Sequence, residues 1–337
     1  MKIAVLTGGT SSERDVALSS GLQVAAALRD RGHTVDVVDL ATGFVPKDRE
    51  AALLPGGIGR EPPPIEKLKT LQKGMLSAGL GEIGAIRDAD VIFLALHGGQ
   101  GENGTVQALL DVIGVPYTGS GHLGSALAFD KDMAKHVLND CGVVVPRWIL
   151  APADAATVAK NPGFPCIVKP SNEGSSVGLS LVREPGKLAE AIALAGRYDN
   201  DVMIEQFIPG RELTVGILGE QALPVIEIIS KHELFDYECK YTPGMSEEFP
   251  AELPEQLTKA LHAAALRAHR ALKLGGYSRI DFRVDGNGGI FCLEANTLPG
   301  LTPGSLIPKA AKAAGMSFPE FCEAICRLAL SPGGTKP

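Results

Sequence analysis

The first third of the chain repeats one grammar: a short apolar run, a glycine turn, then an amphipathic stretch of helical length. "KIAVL" is followed by "TGG" and then by "SSERDVALSSGLQVAAALRDRG". Leu18, Leu22 and Ala25 mark one apolar helix face, and Gly32 marks its end. Ser12, three residues before Asp15, resembles a capping box. "TVDVVDL" and "VIFLAL" are two more apolar runs, and "TVQALLDVIG" predicts a helix between "VIFLAL" and "VPY". Buried strands alternating with helices leave one main solution, a parallel, doubly wound α/β sheet with ligands at the carboxyl ends of its strands. Residues 45–84, rich in Pro and Gly and carrying "EPPP", read as a surface excursion.

From Gly121 the grammar changes. A helix is expected from Ser125 to Asn139. Then come closely spaced apolar runs: "VVVPRWIL", "PCIVKP", "VGLSLV", "DVMIEQF", "RELTVGIL" and "ALPVIEI". Such spacing suits antiparallel sheets, α+β in character. A long helix over about 254–274 precedes "YSRIDFRV" and "GIFCLEAN", whose link "DGNGG" is hairpin chemistry. Two helices close the chain.

A net charge of −7 without a basic run argues against nucleic acid as a partner. No apolar stretch approaches the ~20 residues needed to span a bilayer, and the N-terminus lacks a signal-peptide pattern. The six cysteines are scattered and without accompanying histidines, so reduced packing cysteines and a cytoplasmic setting are expected.

Several stretches carry chemistry. In "VKPSNEGSSVGLS", Lys169 closes an apolar strand and faces Gly174, Ser175, Ser176 and Gly178. Backbone N–H groups that can be approached closely, beside a positive charge, suit phosphate. A flexible hairpin with a surface lysine is the competing reading. In "SRIDFRV", Arg279, Asp281 and Arg283 share a strand face; in "FCLEAN", Glu294 and Asn296 do. If the hairpin pairs Asp281 with Glu294, three oxygen-bearing side chains converge, a hard ligand set for Mg²⁺; a salt-bridged edge is the alternative. In "EQFIPGRE", Glu205 and Glu212 flank a turn and could accept from a base amine and ribose hydroxyls, or simply be exposed. Glu13 and His97 each lie just past a strand of the first domain, with Glu102 nearby, where α/β sheets place their sites.

Taken together, "LTGGTSSERDVALSSG", "LHGGQGENGTVQALLDVIGVPYTGSG", "ALAFDKDMAK", "VKPSNEGSSVGLS", "EQFIPGRELTVGIL", "DYECKYTPG", "SRIDFRVD" and "LEANTLPGLTPGSLIPKAA" resemble, in order, the motifs of the D-alanine–D-alanine ligases, which are ATP-grasp enzymes. The resemblance implies three domains: 1–120 binding substrate, 121–212 a small ATP-grasp unit, and 213–337 the catalytic unit, with ATP between the last two. It makes Lys131 and Lys169 phosphate-binding lysines, with Ser176 and Lys240 also at the nucleotide. It gives Glu205 the adenine amine, Phe207 and Ile208 backbone contacts to the base, and Glu212 the ribose. Asp281, Glu294 and Asn296 would hold two Mg²⁺ ions, with Mn²⁺ as a substitute.

The resemblance also implies a route. ATP phosphorylates one D-alanine, and the amine of a second attacks the acyl phosphate. Glu13 would hold the first ammonium, and His97 would line the substrate site. Arg279 and the Gly300 N–H would stabilise the tetrahedral intermediate, and Ser305 and Leu306, with Lys240, would take the second carboxylate. Tyr241, Ser175 and Glu13 resemble a latch under a lid. A homodimer and a role in peptidoglycan synthesis are implied as well. Ligation to D-lactate is the nearest rival, which Tyr241 in "CKY" argues against. A catalytically silent nucleotide-binding module is the rival from another class.

Overall fold

A computed structural model describes residues 1–59, 61, 63–72, 78–235, 237–242 and 244–331, without the side chains of Ile65, Ala78, Tyr237 and Tyr241. Its strands fall into three sheets that follow one another along the chain. The first holds β1 (Lys2–Thr7), β2 (Thr34–Asp39), β3 (Gly43–Val45) and β4 (Val91–Leu94), in the order β3-β2-β1-β4. β1 runs parallel to β2 and β4, and β3 closes the edge antiparallel. Ile3, Ala4, Val5 and Leu6 are all buried, as a central strand covered on both faces requires. The parallel α/β core read from the sequence is present; the short edge strand β3 was not read.

The first helix spans Arg14–Asp30 and has no side-chain cap. The capping box expected at Ser12 and Asp15 therefore does not form. The chain instead turns on Ser11, whose hydroxyl accepts the Glu13 N–H at 3.2 Å and donates to the His97 carbonyl at 2.5 Å. That arrangement leaves Glu13 at the helix's mouth. The excursion over 45–84 carries the helix Ile65–Gln72 and two 3₁₀ turns, Lys47–Ala52 and Ala78–Glu82.

The second sheet holds β5 (Trp148–Leu150), β6 (Cys166–Pro170), β7 (Ser180–Val182) and β8 (Val202–Gln206), antiparallel in the order β5-β8-β6-β7. The third holds β9 (Arg211–Leu218), β10 (Gln221–Ala222), β11 (Ile226–Ser230), β12 (Ser246–Pro250), β13 (Tyr277–Val284) and β14 (Ile290–Asn296). Its order is β12-β11-β9-β13-β14, with β10 against β9. The long helix Glu255–Ala271 buries Leu261, Ala265 and Ala268 in one apolar cluster with Leu213, Val215, Ile280 and Phe282 of this sheet.

The single helix expected over 125–139 is two, His122–Phe129 and Lys131–Asp140. Asp130 breaks the run because its carboxylate accepts the Met133 N–H at 3.0 Å and so starts the second helix. The C-terminal helix Phe318–Leu330 returns to the first sheet's helix and shares its core through Phe321, Cys322 and Ile325.

Candidate active site

Hairpin β13–β14 supplies the first wall. Asp281 pairs with Glu294 and Arg279 with Asn296, the register on which the carboxylate reading depended. Between Asp281 and Phe282 the register shifts, so that Phe282 faces Cys292 and Leu293 is the extra residue, a bulge. Asp281 is nearly saturated. It accepts from Arg279 at 2.9 and 2.8 Å, from the Thr214 hydroxyl at 2.6 Å and from the Asn296 amide at 2.9 Å. Glu294 is held mainly by charge. Burial would raise its pKa, but Lys131, Lys240, Lys169 and Arg279 outweigh burial and hold it down to about 2. Lys131 lies 3.7 Å from it.

Among the described residues no three His, Cys, Asp or Glu side chains form a closed metal cage. Two carboxylates plus the Asn296 amide make an open set of hard donors, which fits Mg²⁺ sharing its remaining positions with phosphate oxygens and water.

The second wall is β6 and β8. Lys169 and Glu205 are both buried and stand 3.1 Å apart. Glu212, on β9, pairs with Arg283 at 2.8 Å, and burial pushes its carboxyl up. The loop between β6 and β7 folds over this gap. Ser175 and Ser176 take positive φ of 49° and 59°, a strained conformation for non-glycine residues. The Ser175 hydroxyl donates to Glu13 and the Ser176 hydroxyl to the Phe235 carbonyl at 2.9 Å. Lys131 Nζ reaches the Glu173 carbonyl at 2.5 Å. Lys131, Lys169, Ser176, Glu205, Phe207, Ile208, Glu212, Lys240, Asp281 and Glu294 thus meet round one cavity.

A second cavity, of about 470 Å³, adjoins it. Glu13, His97, Glu102, Arg279, Asn296, Gly300, Ser305 and Leu306 line it, and Gly174, Ser175, Phe235, Lys240 and Arg279 belong to both cavities. That size is in the range of small-molecule sites. Its floor is the 297–305 loop, which the first domain clamps. The Leu301 N–H donates to Ser20 Oγ at 3.2 Å, the Ser20 hydroxyl to His97 Nε2 at 2.9 Å, and His97 Nδ1–H to the Leu298 carbonyl at 2.7 Å. With Nε2 accepting from Ser20 the imidazole is neutral, and burial, which lowers the His97 pKa, favours that form. Glu102 accepts the Gly98 N–H at 2.7 Å and the Leu298 N–H at 3.3 Å. Burial first, and the Glu13 charge second, push its carboxyl up to about 8.

The structure therefore brings the sequence-read residues together in two adjoining cavities. Tyr241 ends the short helix Tyr237–Tyr241, and its side chain lies outside the described residues. Two functional neighbours were missed. Ser20 gives no signal beyond its helix position. Lys135, 1% exposed and 2.7 Å from Glu205, sits four residues after Lys131 on the same helix face, a spacing that could have drawn attention to it.

Comparisons with known proteins bear on the chain's family. The family described as D-ala D-ala ligase N-terminus matches residues 2–120, and that described as D-ala D-ala ligase C-terminus matches 142–327. The chain is 42% identical over 329 residues to the D-alanine–D-alanine ligase of Geobacter sulfurreducens, covering 96% of this chain and 92% of that protein. Among solved structures, the D-alanine–D-alanine ligase of Coxiella burnetii superposes with a TM-score of 0.80 at 26% identity, over 97% of this chain and 93% of the other. The Bacillus anthracis enzyme complexed with ATP superposes with a TM-score of 0.74 at 29% identity, over 98% and 97%. With both halves matched and the shared fold built round the two cavities described above, the chain belongs to the D-alanine–D-alanine ligase family.

Proposed function

We propose that this chain joins two D-alanines into D-alanyl-D-alanine, spending ATP through a D-alanyl phosphate and releasing ADP and phosphate, as a step in peptidoglycan precursor synthesis. The observation that carries the reading is the shared wall. The lysine- and carboxylate-lined gap opens directly beside a cavity with Glu13 at one end and the 297–305 loop at the other. The ATP complex of the Bacillus anthracis relative supports nucleotide binding by this chain. In this reading the chain divides at 1–120, 121–212 and 213–337, acts in the cytoplasm and pairs as a homodimer. No described helix is long and apolar enough to cross a membrane.

The chemistry follows from charge. A carboxylate is a poor electrophile until it is phosphorylated. Glu13 holds the first D-alanine's ammonium, so that its carboxylate oxygen points to the γ-phosphate. A new P–O bond forms, the β–γ bridge breaks, and ADP leaves. Lys131, Lys169 and Lys240 neutralise the transferring group. Glu205 takes the base amine, Phe207 and Ile208 meet the base through their backbone, and Glu212 takes the ribose. Ser176 helps to hold the loop over the phosphates. Asp281, Glu294 and Asn296 would hold two Mg²⁺ ions, which supply further charge neutralisation at the phosphates.

The second amine, uncharged, then attacks the acyl carbon, and collapse of the tetrahedral intermediate expels phosphate. Arg279 and the Gly300 N–H stabilise its oxyanion. Ser305 and Leu306, with Lys240, take the second carboxylate, and His97 shapes the wall. The Ser175–Glu13 bond, with Tyr241, keeps water from the acyl phosphate. The test is ADP release with D-alanine, with L-alanine, and with D-alanine plus D-lactate, followed by product analysis. Dipeptide formed from D-alanine alone is expected. A preference for D-lactate would replace the reading with ester formation, and no ADP release with any acceptor would replace it with a silent binding module.

A further inference from the structure

Lys135 is the most deeply buried cation of the site's surroundings, and the mechanism above leaves it without a task. At 1% exposure it can touch no substrate. Its Nζ lies 2.7 Å from Glu205 Oε2, a close ion contact, and 5.6 Å from the centre of the Trp148 ring. Trp148 is fixed in turn by its indole N–H on Asp132 at 2.7 Å. The other oxygen of Glu205, Oε1, receives Lys169 at 3.1 Å. Two ammonium groups thus bracket one carboxylate, leaving one positive charge in excess beside a cavity that Lys169 lines and Lys135 does not.

Without Lys135, a buried Glu205 would have, among the described residues, Lys169 as its one remaining ion-pair partner. Breaking that pair to meet a phosphate would then leave a desolvated carboxylate uncompensated, which is strongly unfavourable. With Lys135 in place, Lys169 can leave at far smaller cost. We propose that Lys135 is a positioning residue that neutralises Glu205 from behind and so frees Lys169 to turn from Glu205 to the phosphates of a bound nucleotide. The Glu205 carboxyl, which burial alone would raise, is held down by the charge of Lys135 and then of Lys169.

The inference rests on the nucleotide reading and is tested beside it. Binding of a non-hydrolysable ATP analogue and of adenosine is measured by calorimetry, with Mg²⁺ and without D-alanine, on the wild type and on Lys135→Met, Lys135→Gln and Lys135→Arg. Thermal melting of each variant checks its fold. The neutral variants should bind the analogue roughly tenfold or more weakly, the scale of removing one charge from a desolvated pair. Adenosine, which meets Glu205 through its base amine but carries no phosphate for Lys169, should weaken by a clearly smaller factor than the analogue, and Lys135→Arg should stay near the wild type. Equal weakening of analogue and adenosine, no weakening, or an arginine variant no better than methionine would overturn the proposal. So would failure of both neutral variants to fold, which would make Lys135 a structural residue. A wild type that binds neither compound would sink the nucleotide reading itself, a result none of the other outcomes resembles.

Discussion

Asp281 and Glu294 face each other on one hairpin but are held by different means, and substitutions should separate them. Asp281 is locked by hydrogen bonds from Arg279, Thr214 and Asn296, whereas Glu294 answers to the field of four cations. Glu294→Gln is nearly isosteric and breaks no dense hydrogen-bond set. It should abolish ADP formation at ordinary Mg²⁺ while leaving the melting temperature close to the wild type's. Near-normal ADP release in that variant would remove Glu294 from the metal-binding set. Asp281→Asn should lose activity and also stability, about 1–3 kcal/mol, because it weakens a charged acceptor that three neighbours share. Urea unfolding of the two variants side by side checks the contrast. The hairpin was legible in the sequence because "DGNGG" closes it, but the facing of the two carboxylates was not: counted back from the turn, where Val284 faces Ile290, Asp281 would meet Leu293, and only the bulge brings it to Glu294. The donors that saturate Asp281 were only partly legible. Thr214 sits on β9, and nothing local announces that β9 lies beside β13. The bulge at Leu293 left no sequence mark either.

At the scale of elements, the 297–305 loop owes its shape to groups from the other end of the chain. Ser20→Ala would take from the Leu301 N–H and His97 Nε2 the hydroxyl they share. Such a loss inside the core costs about 1–3 kcal/mol. We expect a lower melting temperature and a fall in turnover greater than any change in ATP KM, since the loop serves the second cavity. Equal loss in both parameters would detach the loop from that role. The helix Glu255–Ala271 carries another burial penalty. His269 is buried, with Nδ1 2.8 Å from Ser278 Oγ, and burial lowers its pKa to about 4. Unfolding returns it to an ordinary value near 6.5. The unfolded chain therefore binds the extra proton, and stability present above pH ~6.5 should decline as pH falls towards 4. Denaturant midpoints across that window should show the slope, and His269→Gln should flatten it. The helix itself was plain from its apolar spacing. His269's depth was not, because a histidine on the edge of an apolar stripe reads the same whether it faces water or core.

Across the whole molecule, the β6–β7 loop ties all three sheets. Ser175 bonds Glu13 beside the first sheet, Ser176 bonds Phe235 in the β11–β12 connection of the third, and the loop itself springs from the second. Ser175→Ala should loosen this closure more than it disturbs the fold. Water would then intercept the acyl phosphate, and ADP formed per dipeptide should rise above one; a ratio that stays at one would free Ser175 from the sealing role. Cleavage of the loop by protease should also slow when a non-hydrolysable ATP analogue is added to the wild type. That parallel strands come first and antiparallel ones after, and that the loop follows an apolar strand, were readable from the succession of strands. The meeting of Ser175 with Glu13, 162 residues apart, was implied only by the resemblance to the ligase family.

Gly174, Ser175, Phe235, Lys240 and Arg279 are a partition with a chamber on either side. A partition cannot move for one chamber alone. Whatever reshapes it on the nucleotide side is therefore felt on the amino-acid side as well.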